Sequence, residues 1–221
     1  MVQKAAVTGA NSGIGREVCR GLLEAGFEVL MLCRNAQKAE DAKSWLIQKT
    51  GRQTIEIVIV DLSSLNDIMR ATEELLQRHS HLNVLVNNAG LYSSRKQESA
   101  DGYELTFAVN HLAVQLLTNR LLPLLEAGAT VQPARIVNVA SEAHRRGKVH
   151  WNDVSLKSSY GSMAAYSQSK LANILHALHC STAFRKRNIL INSCHPGVVA
   201  TNFASGESGV FGVLLSSSNG R

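Results

Sequence analysis

A turn constrains this chain more than any other stretch. Gln3-Lys4-Ala5-Ala6-Val7-Thr8 reads as a short buried strand, and it runs directly into Gly9-Ala10-Asn11-Ser12-Gly13-Ile14-Gly15 and a helical stretch from about Ser12 to Ala25. Glycines let the backbone reverse sharply and approach a ligand closely, while the helix start offers free N–H groups to a phosphate. The spacing is Thr-Gly-x-x-x-Gly-x-Gly, not the commoner G-x-G-x-x-G. Its setting, strand before and helix after, is what a nucleotide-binding turn requires.

Five more strand-like segments follow at helix-length intervals: Glu28–Cys33, Ile55–Val60, Asn83–Val86, Ala134–Val139 and Ile189–Cys194. Helical patterns separate them, over about Ala36–Lys49, Leu65–Arg78, Tyr103–Leu125 and a stretch ending near Lys186. Such alternation predicts right-handed crossovers and an α/β, doubly wound, Rossmann-type three-layer sandwich with a mainly parallel sheet of about six strands. Ligands of that architecture bind at the carboxyl ends of the strands.

The residues at those ends carry chemistry. Arg34 follows the second strand where an acid would suit a ribose 2′-hydroxyl; an arginine there, with Arg16 as a possible helper, favours a 2′-phosphate. Asp61 closes the third strand, placed to touch adenine or to cap the next helix, a task open also to Ser63 or Ser64. Asn88-Ala89-Gly90 either lets a ribose approach or shapes a turn. Asn110, an amide among apolar neighbours in mid-helix, requires hydrogen-bond partners, and His111 beside it reads as a packing residue. Ser141 ends the fifth strand, and Pro196-Gly197 with Val199 and Thr201 follows the sixth.

Within Ala165–Asn173, Tyr166 and Lys170 stand four residues apart on one helical face. A phenol titrates near ~10, and an ammonium beside it favours the phenolate. That pair suits proton exchange with an alcohol or carbonyl.

Length and composition exclude much else. A chain of 221 residues, 45% hydrophobic and 18% charged, builds one sizeable core and is not disordered. No apolar run is long enough for a membrane span, and a cytoplasmic location is expected. Cys19, Cys33, Cys180 and Cys194 are scattered without zinc spacing, so they read as free thiols and no metal site is expected. The net charge of +6 lies wholly beyond residue 141, partly in Arg145-Arg146-Gly147-Lys148 and Arg185-Lys186-Arg187. Without interleaved aromatics the first cluster reads as a solvated loop, the second as a helix end, and no nucleic-acid partner is expected.

Taken in order, Thr8-Gly9-x-x-x-Gly13-x-Gly15, Asp61, Asn88-Ala89-Gly90, Asn110, Ser141, Tyr166-x-x-x-Lys170 and Pro196-Gly197 resemble the short-chain dehydrogenase/reductase family over residues 3 to about 204. Asp101-Gly102-Tyr103-Glu104-Leu105, Val109-Asn110-His111-Leu112 and Ser169-Lys170-Leu171-Ala172-Asn173 are similar to its retinol-dehydrogenase-like branch, which mostly prefers NADP. The resemblance implies Tyr166 as general acid or base, Ser141 on the same substrate oxygen, Lys170 on the nicotinamide ribose and lowering the tyrosine pKa, and Asn110 in a proton relay. It implies cofactor contacts from Gly9, Asn11, Ser12, Gly13, Ile14, Gly15, Arg34, Asp61, Leu62, Asn88, Ala89, Gly90, Tyr166, Lys170, Pro196, Gly197, Val199 and Thr201.

The expected function is therefore NADP-dependent hydride transfer between the nicotinamide and a small lipophilic alcohol or carbonyl, with a nucleotide-binding regulatory protein as the alternative. Relatives usually continue well past the Pro-Gly motif. Here residues 1–204 are expected to form the oxidoreductase domain and 205–221 a short tail, with the seventh strand and substrate lid missing, weak turnover, and self-association through the edge near Ile191.

Overall fold

The computed structural model describes residues 2–197. They share one six-stranded, all-parallel sheet in the order β3-β2-β1-β4-β5-β6. The strands are β1 (Lys4–Thr8), β2 (Glu28–Cys33), β3 (Ile55–Ile59), β4 (Val84–Asn87), β5 (Ala134–Val139) and β6 (Ile189–Cys194). Between them run α1 (Gly13–Glu24), α2 (Ala36–Thr50), α3 (Leu65–Arg78), α4 (Leu105–Phe107), α5 (Ala113–Arg120), α6 (Leu122–Gly128) and α7 (Ser162–Arg185). The strand order reverses direction of growth at β1, whose neighbours are β2 and β4. A crevice therefore opens between the carboxyl ends of β1 and β4.

The near-continuous apolar strands follow from burial on both faces. In β2, Val29, Met31 and Cys33 pack with Cys19, Leu23, Ala39 and Leu46 of α1 and α2. Leu30 and Leu32 point the other way, into a core shared with Ile68 and Leu75 of α3, Leu117 of α5 and Phe184 of α7. Helix boundaries follow local signals: Asn35 caps α2 by accepting from the Lys38 N–H at 2.8 Å, and Gly51 ends it in the left-handed region at φ 67°.

The expected single helix over Tyr103–Leu125 is instead three pieces. Glu104, 1% exposed, accepts from the N–H groups of Thr106 and Phe107 and so starts α4. A π-helical turn, Ala108–Leu112, then leads into α5, and the chain breaks at Leu121 before Pro123 opens α6. A proline is favoured in a first helical turn because its missing N–H would have no partner there.

β6 forms the edge of the sheet, and among the described residues nothing pairs with its outer side. The boundary expected at residue 204 and the tail beyond it lie outside the described residues. No described helix is long and apolar enough to cross a membrane, and all four cysteines are free.

Candidate active site

The turn after β1 is held open by geometry that favours glycine. Gly9 and Gly13 have φ of 63° and 50°. A Cβ on Gly15 would sit 2.3 Å from the Gly9 carbonyl oxygen and 2.5 Å from Asn88 Nδ2. The Ser12 side chain makes no capping bond to α1, and no acid lies in the first turn. A backbone cradle with uncapped N–H groups and the positive end of a helix dipole fits the diphosphate of a dinucleotide. Asn11, Ser12 and Ile14 belong to this same turn.

Thr8, absent from the sequence-based site, ties the cradle to β4. Its Oγ1 accepts from the backbone N–H groups of Asn88 and Ala89, each at 2.9 Å, and Asn88 Nδ2 donates back to the Thr8 carbonyl at 2.9 Å. Asn88 is thus a strut of the crevice. This is the turn-shaping option for Asn88-Ala89-Gly90.

At the adenosine end, Arg34 is exposed just past β2. Arg16, considered as its helper, has its guanidinium 4.0 Å over the Trp45 ring. Asp61 Oδ1 accepts from both the N–H and the hydroxyl of Ser63, at 2.9 and 2.7 Å, while Ser64 caps α3. Asp61 therefore shapes the turn, and Ser64 performs the capping. Leu62 packs half-buried against the core.

Four predicted residues come together beside the crevice. Ser141 hydrogen-bonds Tyr166 and caps a short 3₁₀ turn, Glu142–Arg146. Lys170 Nζ lies 5.7 Å from the Tyr166 ring centre and donates to the Val139 carbonyl at 2.8 Å. Lys170 is 3% exposed, and burial alone pushes its pKa down to about 8. Burial pushes the Tyr166 phenol up, against the opposing pull of the Ser141 hydrogen bond. The net depression of the phenol expected from Lys170 does not appear here, because desolvation is the larger effect on Tyr166.

Asn110 finds the partners that its burial demanded. It lies in the π-helical turn, fully buried; Nδ2 donates to the Leu91 carbonyl at 2.9 Å and to Ser169 Oγ at 3.0 Å, and Oδ1 accepts from the Leu91 N–H at 2.8 Å. His111 packs on Phe107 with ring centres 5.2 Å apart, as a packing histidine should. Gly90 faces the same group: a Cβ there would be 3.3 Å from Lys170 Nζ.

The mouth adds residues that sequence reasoning passed over. Tyr92 meets Tyr166 edge-on at 5.9 Å and donates its hydroxyl hydrogen to Ser162 Oγ at 2.8 Å. His195 Nε2 lies 3.4 Å from Glu142, which also pairs with Arg145 of the basic cluster. Pro196 and Gly197 follow β6, with Gly197 at φ 75°, whereas Val199 and Thr201 lie outside the described residues. No group of three metal-ligating side chains occurs among the described residues.

Comparison with known proteins shows the family of the chain. The family model described as short chain dehydrogenase matches residues 3–208. Retinol dehydrogenase 14 of Mus musculus is 39% identical over 207 residues, covering 89% of this chain and 61% of that protein. Retinol dehydrogenase 11 of Homo sapiens is 37% identical over 202 residues, covering 91% of this chain and 63% of that one. The chain thus spans about three fifths of the length of these curated relatives. Among solved structures, the Pseudomonas aeruginosa RhlG/NADP active-site complex superposes with a TM-score of 0.75 at 29% identity, covering 92% of this chain and 75% of that one. An uncharacterized Mycobacterium paratuberculosis protein gives 0.77 at 33%, covering 92% of this chain and 71% of that one.

Proposed function

The chain belongs to the short-chain dehydrogenase/reductase family, on its retinol-dehydrogenase-like branch, and we propose that it is an NADP-dependent oxidoreductase of lipophilic alcohols, aldehydes or ketones. The observation that carries this reading is the Tyr166–Ser141 hydrogen bond with Lys170 beside it, on the carboxyl side of the sheet that also holds the glycine cradle. When bound, the nicotinamide dinucleotide supplies the hydride. Gly9, Asn11, Ser12, Gly13, Ile14 and Gly15 would hold its diphosphate, Arg34 its 2′-phosphate, and Asp61 with Leu62 its adenine.

The side chains divide the proton work. In reduction, Tyr166 gives its phenolic proton to the substrate oxygen; in oxidation it takes the proton back. The phenol stays protonated across neutral pH and so has a proton to give in reduction. Ser141 donates to the same oxygen and fixes its orientation. Lys170, a cation of lowered pKa close to the ring, stabilises the phenolate that remains after proton transfer. Asn110, Asn88, Ala89 and Gly90 keep the wall beside Lys170 in place, and Pro196, Gly197, Val199 and Thr201 would seat the carboxamide.

Relatives named retinol dehydrogenase support a lipophilic substrate. The test is NADPH oxidation by the purified chain with a panel of aliphatic, aromatic and polyene aldehydes, run beside NADPH-dependent thermal stabilisation. Turnover with at least one lipophilic aldehyde is expected. Stabilisation by NADPH without turnover of any carbonyl would leave a nucleotide-binding protein and sink the enzymatic reading.

A further inference from the structure

Three residues past Lys170, on the same face of α7, lies a side chain that the proposed chemistry does not use. Asn173 is 1% exposed. Its Nδ2 donates to the backbone carbonyl of Asn110 at 2.8 Å, and its Oδ1 meets His111 Nδ1 at 3.0 Å. With Nδ2 donating, Oδ1 is left to accept, so His111 carries its hydrogen on Nδ1. The Asn173 carbonyl in turn accepts from Asn138 Nδ2 at 3.4 Å and Ser193 Oγ at 3.0 Å. One residue therefore binds α7 to the π-helical turn, to β5 and to β6.

The tie to Asn110 matters because of where Asn110 leads. A π-helical turn displaces its carbonyls from the regular ladder, and such a bulge needs outside partners to hold one geometry. Asn173 supplies a side-chain partner for the Asn110 carbonyl. The Asn110 side chain then grips both backbone groups of Leu91 and the hydroxyl of Ser169. A Cβ placed on Gly90 would lie 3.3 Å from Lys170 Nζ and 3.4 Å from Asn110 Oδ1, so the amine and the amide flank the same few ångströms of backbone.

We propose that Asn173 is a positioning residue: by fixing the Asn110 carbonyl it sets the Asn110 amide and the Gly90-Leu91 backbone against Lys170, and thereby sets the turnover rate. Its kinetic consequence rests on the oxidoreductase reading above, whereas its structural part does not.

The experiment uses the full chain with Asn173→Leu and Asn173→Asp. Leucine keeps the volume and removes the side-chain donor to the Asn110 carbonyl. Aspartic acid donates to that carbonyl when protonated and opposes it, oxygen to oxygen, when ionised. Hydrogen exchange reads the protection factor of the Leu91 amide, whose acceptor is Asn110 Oδ1, relative to amides of β5. In Asn173→Leu the Leu91 protection should fall about tenfold while that of β5 holds, as expected of a local opening. In Asn173→Asp it should fall as pH rises from about 5 to 8, a dependence that lost packing alone would not create. With a carbonyl substrate, kcat should drop about tenfold and the KM for NADPH move less than about threefold, the signature of a lost transition-state contribution.

Unchanged Leu91 protection, loosening shared equally by β5, or a full kcat with Leu91 loosened would each overturn the proposal. A wild-type chain with no turnover would instead overturn the oxidoreductase reading, and the exchange data would still decide whether Asn173 holds Asn110.

Discussion

Thr8→Val is nearly isosteric, yet it should be among the costlier single changes in this chain. Thr8 is 2% exposed, and its hydroxyl oxygen accepts two backbone N–H groups, those of Asn88 and Ala89. The Asn88 N–H also reaches the Val86 carbonyl at 3.0 Å, so it keeps one partner when the hydroxyl goes. The Ala89 N–H loses the acceptor it has. A buried donor left unmade costs about 1–3 kcal/mol and a net hydrogen bond about 0.5–1.5 kcal/mol; with Ala89 only half-buried, the sum is about 2–3 kcal/mol. In a domain of this size that lowers the melting temperature by about 5–10 °C. Thr8→Ser is the control, since it keeps the oxygen and gives up one methyl group for about 1 kcal/mol. Thermal unfolding followed by circular dichroism should rank wild type above Thr8→Ser and Thr8→Ser above Thr8→Val. A valine variant as stable as the serine variant would refute the reasoning, because the methyl and not the hydroxyl would then carry the site.

Tyr166→Phe should reduce turnover at least a hundredfold while leaving the dissociation constant for NADPH within about threefold, because the ring packing survives and only the proton donor is lost. Substantial activity in that variant, measured by NADPH oxidation, would remove Tyr166 from the proposed role. Arg34→Ser should weaken NADPH binding by about ten- to thirtyfold and leave NADH binding unchanged, as loss of a charge-assisted contact predicts; equal losses for both cofactors in a fluorescence titration would count against the 2′-phosphate assignment. Stability should also depend on pH at two named positions. His176 is buried and its pKa is pushed down to about 4 by burial, with His111 and His179 adding repulsion. Between the unfolded value near 6.5 and about 4 the unfolded chain holds the extra proton, so stability falls on acidification, and His176→Leu should flatten that slope in melts across the window. For Lys170 the unfolded chain holds the extra proton between about 8 and 10.5, so stability should rise with pH there, and Lys170→Met should abolish the rise.

Strand ends were legible in the sequence because a parallel sheet confines its ligand-facing residues there. The glycine turn, Arg34, Asp61 and Ser141 were read that way, the Tyr166–Lys170 pair from its helical spacing, and β5 and β6 were bounded to the residue. Roles that depend on distant pairing were not legible. Thr8 and Asn88 are 80 positions apart, and Asn110 and Asn173 are 63 apart, so no local pattern announces either contact. The π-helical turn was hidden for a related reason: its apolar spacing over Ala108–Leu112 matches an ordinary helix, and only the partners of Asn110 distinguish it. The break before Pro123 was in principle readable, since proline opens a helix more readily than it continues one. The phenol's upward shift required knowing how dry its surroundings are, which spacing alone does not tell.

Tyr166, Ser169, Lys170 and Asn173 fall three, one and three positions apart on α7, and all four are buried. Each helical residue advances the side-chain direction by about 100°, so one inserted residue between Tyr166 and Lys170 would turn the amine by more than a quarter of a circle. The same insertion would swing Asn173 off the π-helical turn. Substitutions here are graded injuries, each confined to a contact or two, whereas a change of length is a single total one. In descendants of this chain, α7 should therefore tolerate replacement of Leu175 or Leu178, which face solvent, yet hold the count of residues from Tyr166 to Asn173 fixed. The heritable unit in this stretch is an angle more than a set of amino acids.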